Sequence, residues 1–437
     1  MIQRPACLEF SRRCFLAMAL TAAPAASLTP PKYGGSLRLR LPVGLAGLDP
    51  HVLDDVASAL FAPTLFDTLY ARDKGGAVFP ALAVSLPEPV PAGARLVLRA
   101  GLKTALGKPL VARDVAFALK RSLDNGGTAW LNALAQPALD ARDALALVFP
   151  RTTPEALALV LSSPITAIVP RGFNSLSPDG TGAYRALVAK DGLTLTRNDN
   201  AARGPAFLDR IRAEPARDLS DALRAFETGD ADIGWLGKGL HEPRAGARSF
   251  DAGPLGWVVL HSGREAQAWG RPGVAQQLAD ELPPARVSHL GLRGMPAASS
   301  GPGWGGPSGQ LLVDQASPQL IEIATSVASL LSRPGHELAI GARSRQELRA
   351  AKSSRQFLLM LDFVRRVDES TEGAIAALYT AADPALAKHL PKLRTDPRTT
   401  ARALPVGIIG ELHVYGAHLP SLIDLNAWDL GSCWFRR

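Results

Sequence analysis

The chain carries large aromatic side chains where a ligand could be held, and few groups spaced to break a bond. No Gly-x-Ser-x-Gly elbow, phosphate-binding glycine loop, His-Glu-x-x-His or Cys-x-x-Cys pair occurs in its 437 residues. Ser, His and Asp occur only at spacings that any chain of this size shows. The eight histidines are dispersed. His413 and His418 are five apart and fall on opposite faces of an expected strand, which is poor metal geometry. A direct metal site, a cofactor and an enzymatic activity are therefore not expected. Trp235 stands out because it directly follows Asp230-Ala231-Asp232-Ile233, a strand end, and ligands of α/β proteins sit at strand carboxyl ends. Trp304 stands out inside a Gly/Ser/Pro-rich loop at 299–309.

These side chains need a scaffold, and the length implies two or three packed units. An apolar fraction of 47% and a charged fraction of 20% are globular values. The net charge of +8 is spread without a basic run or an interleaved aromatic platform, which argues against a nucleic-acid partner. No apolar run reaches the length of a membrane span. Ser11-Arg12-Arg13-Cys14-Phe15-Leu16, a short apolar run and Ala23-Pro24-Ala25 lay out a twin-arginine export signal over about residues 1–28. Cys7 and Cys14 would leave with it. Cys433 would then be the remaining cysteine, so no intrachain disulfide is expected.

Ser36–Leu41 alternates strictly and predicts a strand. Residues 57–70 carry helical spacing interrupted by Pro63. Arg95–Arg99 and Ala144–Phe149 read as strands. Residues 112–123 read as a helix stopped by Asn125-Gly126-Gly127. Asp179-Gly180 opens a hairpin through Tyr184 and Leu193–Arg197. Asp218 caps a helix to about Thr228. Residues 240–310 show only a short strand at Val258–Leu260 and a short helix at 274–282. Leu311–Val313, a helix opened by Ser317-Pro318, Leu338–Ile340, a helix at 345–352 and a strand at Phe357–Leu361 form strand-helix-strand-helix-strand. That order means a parallel sheet with helices on its faces.

Eight segments in order give this chain a resemblance. They are Gly34–Arg38, Leu48-Asp49-Pro50, Phe66–Tyr70, Pro80–Ala83, Leu98–Lys103, Pro109–Val115, Gly180–Tyr184 and Gly229–Ile233. Together they resemble the extracytoplasmic solute-binding proteins of family 5, which serve peptide- and nickel-type ABC importers. The resemblance implies a periplasmic-binding-protein-like α/β fold: two lobes on a two-strand hinge, with a subdomain inserted in the first lobe. By analogy the first lobe takes 29–53, 180–257 and 405–437, the inserted subdomain 54–179, and the second lobe 258–404. The hinge strands would cross near 257–260 and 403–407. The implied partners are a peptide-like or other small polar solute and a membrane permease. The expected location is periplasmic and the expected state a monomer.

Peptide-binding members pair the ligand's amino terminus with an acid shortly after a Trp in the second lobe. An ungapped placement puts Phe363 at that Trp and Arg366 at that acid; a two-residue shift brings Asp368 there instead. Arg366 there would repel an ammonium group and suit a carboxylate or other anion. The alternative is that Arg365 and Arg366 form a solvated loop pair. Nickel-type members use a Trp and an Arg in the inserted subdomain; Trp130 matches the Trp, and Ser163 stands where the Arg would be. Trp257, at an expected hinge strand, completes the candidate set of Trp130, Trp235, Trp257, Trp304, Phe363 and Arg366. Two other readings stay open: the fold retained as a non-transport sensor or chaperone-like protein, and an exported hydrolase.

Overall fold

The computed structural model describes residues 32–73, 75–235, 246–383, 385–389, 396–425 and 428–436. The export signal expected at 1–28 lies outside them. Alternation makes Ser36–Leu41 a strand whose Leu37, Leu39 and Leu41 are buried. It pairs in parallel with Arg210–Pro215, and the Tyr184–Ala189/Gly192–Arg197 hairpin extends the sheet beyond it. Ile233–Trp235 closes the other side.

The second half of the sheet comes from the strand-helix repeat. Gly309–Asp314 lies parallel to both Leu338–Arg343 and Leu359–Arg365. Helix Pro318–Leu331 buries Leu320, Ile323, Ala324 and Val327 and packs against the strands of this repeat, with Pro318 in its first turn. Helix Arg345–Ser354 starts with a capping box between Ser344 and Glu347.

Two long strands, Arg248–Ser262 and Val406–His418, join the halves. At one end they pair 248–251 with 415–418, beside Ile233–Trp235. At the other end 256–262 pairs with 359–365. Register shifts between Asp251 and Pro254 and between Pro254 and Gly256 break the ladder where the chain passes from one half to the other. The architecture is thus the two-lobed α/β fold on a two-strand hinge. A separate four-stranded antiparallel sheet, built from 88–90, 93–97, 138–139 and 146–150, lies off the main sheet with helix Ala112–Leu123.

The sequence reading needs three corrections. The helix read over 57–70 ends at Leu65, and Tyr70 belongs to a strand. The first hinge strand is much longer than Val258–Leu260. The strand read as Phe357–Leu361 runs to Arg365, so Arg365 is buried strand rather than half of a solvated loop pair.

Candidate functional site

One wall of the site is the segment Leu48–Leu53. Asp49 accepts both arms of Arg121, one at 2.8 Å, and also the His51 backbone N–H at 3.0 Å. His51 lies between Arg121, 3.0 Å from its Nδ1, and the Ala167 carbonyl, 2.8 Å from its Nε2. Burial pushes the imidazole down to about 4, so it stays neutral, with Nε2–H donating and Nδ1 accepting. These polar contacts fix a stretch without regular secondary structure and leave Pro50 and Leu53 facing the second lobe.

The opposite wall is the end of strand Leu359–Arg365 and the turn after it. The two walls touch directly. The Arg365 N–H donates to Leu53 O at 2.8 Å, and Arg365 Nη1 donates to Pro50 O at 3.0 Å. Ser163 Oγ donates to Val367 O. Arg72 reaches Asp368 at 2.7 Å, Arg349 clamps Asp54 through two bonds of 2.7 and 2.8 Å, and Arg345 bridges Asp55 and Asp314. Asp54 feels burial first, which opposes its charge. The Arg349 hydrogen bonds and the charges of Lys352, Arg349 and Arg345 outweigh that and hold it down at about 2.

Two cavities flank this line of contacts. The larger, about 790 Å³, is bounded by Pro50, parts of 59–73, Gly75, Gly76 and 162–167 on one side and by 365–369 on the other. Hinge residues Ala252, Pro254 and Leu255 form its back. Its polar lining is mixed: Arg72, Arg203, Arg365 and Arg366 against Asp67, Asp73, Asp368 and Glu369. Burial pushes Asp67 up from the usual carboxylate range, and its carboxylate accepts from Thr181 Oγ1 at 2.8 Å. The smaller cavity, about 380 Å³, lies beside Asp54, Lys352 and Asp362. There Lys352 donates to Asp362, and burial holds His261 neutral with Nε2 lacking a hydrogen bond, 3.7 Å from the same carboxylate.

Arg366 lines the large cavity, but it is already engaged. Its guanidinium lies over the Trp257 ring at 5.3 Å and pairs with Glu411 at 3.1 Å. Trp257 is 4% exposed and faces a small pocket beside Arg366. Phe363 is fully buried against Gly256 and borders only the smaller cavity. The structure brings none of the four candidate tryptophans to the lining of the large cavity. Trp130 is half-buried and donates to Val160 O at 3.1 Å. Trp235 is core, edge-on to Trp428, and donates to the buried Gln319 Oε1 at 3.2 Å. Trp304 is fully buried beside Trp269 and bonds Pro307 O, so its glycine-rich loop is a packed cover. Sequence reading missed Arg72 and Arg365. The apolar residues Phe357–Leu361, resumed by Phe363 and Val364 after Asp362, lead into Arg365 and were the available signal for it.

No helix among the described residues is long and apolar enough to cross a membrane. Residues 77–248 match the model of bacterial extracellular solute-binding proteins, family 5, middle region. No curated protein matches the chain by sequence. Solved structures with the same fold include AppA of Bacillus subtilis, an oligopeptide-binding protein held with a nonapeptide. It has a TM-score of 0.70 and 16% identity, over 93% of this chain and 100% of that one. AgaA of A. tumefaciens R10 with agropinic acid gives 0.69 and 15%, over 92% and 99%. NikA of Staphylococcus aureus with Ni(L-His)2 gives 0.67 and 15%, over 92% and 98%. The likeness to the family-5 extracellular solute-binding proteins thus rests on a family-model match over residues 77–248 and on a fold shared across more than nine-tenths of the chain.

Proposed function

We propose that this chain is the solute-capturing component of an ABC importer, acting outside the cytoplasm and delivering its ligand to a membrane permease. The observation that carries the reading is the 790 Å³ cavity, walled by both lobes and backed by the hinge. A ligand bound there touches both lobes, so it favours the closed state by its differential contacts, and closure creates the surface a permease can read. The cavity is open space and not a filled seam, which supports capture over a retained but emptied fold. The chain holds its ligand and does no chemistry on it. The proposed lobes are 29–53, 180–257 and 405–437 for the first and 258–404 for the second, with 54–179 inserted. A peptide or another small polar solute, as in the relatives of this fold, suits a mixed-charge cavity of this volume.

Native mass spectrometry of the exported protein, followed by thermal shift with the released compound, tests the reading. A retained solute that raises the melting temperature and is recovered unchanged supports it. Turnover of that solute, or an unliganded protein that no solute mixture stabilises, overturns it.

A further inference from the structure

Of the four arginines lining the large cavity, Arg203 is exposed, Arg72 and Arg366 are paired with acids, and Arg365 is buried without such a pair. The residue is 5% exposed, it lines the large cavity, and its one side-chain hydrogen bond is to the Pro50 carbonyl. Among the described residues it forms no ion pair. The carboxylates nearest in effect, Asp55 and Asp49, are each committed elsewhere: Asp55 to Arg345 at 3.1 Å, Asp49 to both arms of Arg121. Arg72 takes Asp368, and Arg366 takes Glu411. Burial lowers the Arg365 guanidinium to about 10, which still leaves it fully charged at neutral pH. An unpaired buried charge is costly to the fold, so a role outside stability is needed to account for it. A planar fork of N–H donors facing a cavity is matched by a carboxylate.

Resting on the capture reading above, we infer that Arg365 is the anchor for a ligand carboxylate, so the cleft selects anionic solutes. The buried acid that the family placement would offer to a ligand amine, Asp368, is held by Arg72, so recognition through that position needs no free amine. The anion role moves from Arg366, the residue the sequence placement favoured, to its neighbour, because Arg366 already has an acid and an aromatic face as partners.

The test uses the full exported chain and two probe mixtures: N-acetylated tripeptides with free carboxylates, and the same tripeptides capped as amides. Isothermal titration is expected to show the acids binding at least about tenfold more tightly than the amides, the range of a charge-assisted bidentate contact. Arg365→Gln is expected to abolish that preference while melting no lower than the wild type. Arg365→Lys should keep part of it, and the surface control Lys120→Gln all of it. Equal binding of acids and amides overturns the anchor and leaves the capture reading standing. Arg365→Gln that melts several degrees lower yet keeps the acid preference also overturns it, by making the arginine structural. If neither mixture binds and no solute is retained on purification, the capture reading fails and the anchor with it.

Discussion

The Asp54–Arg349 clamp makes the contact between lobes sensitive to acid, and the sign follows from its geometry. Asp54 belongs to the segment after the first cleft wall and Arg349 to a helix of the second lobe, joined by bonds of 2.7 and 2.8 Å. The carboxylate sits at about 2 in the folded protein against an ordinary value of 3.8. A lowered carboxylate contributes stability that is fully present above the unfolded value and is lost as pH falls through the folded one. The window is therefore about pH 4 down to pH 2. At 1.36 kcal/mol for each tenfold change in proton affinity, the gap is worth about 2 kcal/mol. Arg349 is 48% exposed, and Lys352 and Arg345 would still act on Asp54 without it. Arg349→Gln should therefore remove about 1–1.5 kcal/mol of the total. Urea unfolding of both proteins at half-unit steps from pH 6 to pH 2.5 measures this. The variant should be less stable at pH 6, and the gap between the two curves should narrow from about pH 4 downward to the end of the series, closing fully only below the folded value of about 2. Parallel curves across the whole range would refute the assignment, because they would mean the clamp carries no linkage to protonation. Small-angle scattering at pH 6 adds a second check: loss of a cross-lobe contact should raise the radius of gyration of the variant, not lower it.

Two further outcomes follow from positions the sequence singled out. Gly182→Ala would put a Cβ 2.5 Å from Thr64 O and 2.6 Å from the Leu65 carbonyl carbon, in a core with no room to shift. A loss of about 3 kcal/mol in urea unfolding is expected there, with no change in ligand preference, since the turn touches the scaffold and not the cavity. Trp235→Phe leaves Gln319 Oε1 without its buried donor and should cost about 1–3 kcal/mol; a measurable change in ligand affinity would instead place Trp235 in the cleft.

Elements defined by local periodicity were legible before any coordinates. Helix Ala112–Leu123 and the strand-helix repeat from Gly309 to Arg365 lie where apolar spacing and caps place them, because burial on one face is what that spacing encodes. The hinge strand was not. Its first half, Arg248–Leu255, contains Asp, Gly and Pro, is mostly part-exposed, and is held as strand by backbone pairing to 413–418. Such pairing is written in the partner strand and not in the local sequence. Trp304 was hidden by the opposite effect: a loop composition surrounds a core side chain, and Gly305 and Gly306 lie against the Trp269 and Trp304 rings, where a Cβ would have no space.

The site shows the same limit in sharper form. Between Arg365 and Arg366 the sequence offers two identical side chains, and the family placement favours the second. What separates them is which carboxylate each can reach. Glu411 lies on the second hinge strand, 45 residues on, and satisfies Arg366. Asp49 and Asp55 lie about three hundred residues earlier and are already taken by Arg121 and Arg345 when Arg365 reaches them. An unpartnered charge is therefore a property of the assembled cleft. It depends on the docking of three separate chain segments, and no local motif could have recorded it. The same docking makes Arg72 the partner of Asp368 and so removes the one acid that the family pattern would reserve for an ammonium group. With Arg365 as the proposed anchor, closure of the lobes and choice of ligand would be set by one shared group of charged residues. A substitution that frees Asp368 should weaken the closed state and admit amine-bearing ligands together.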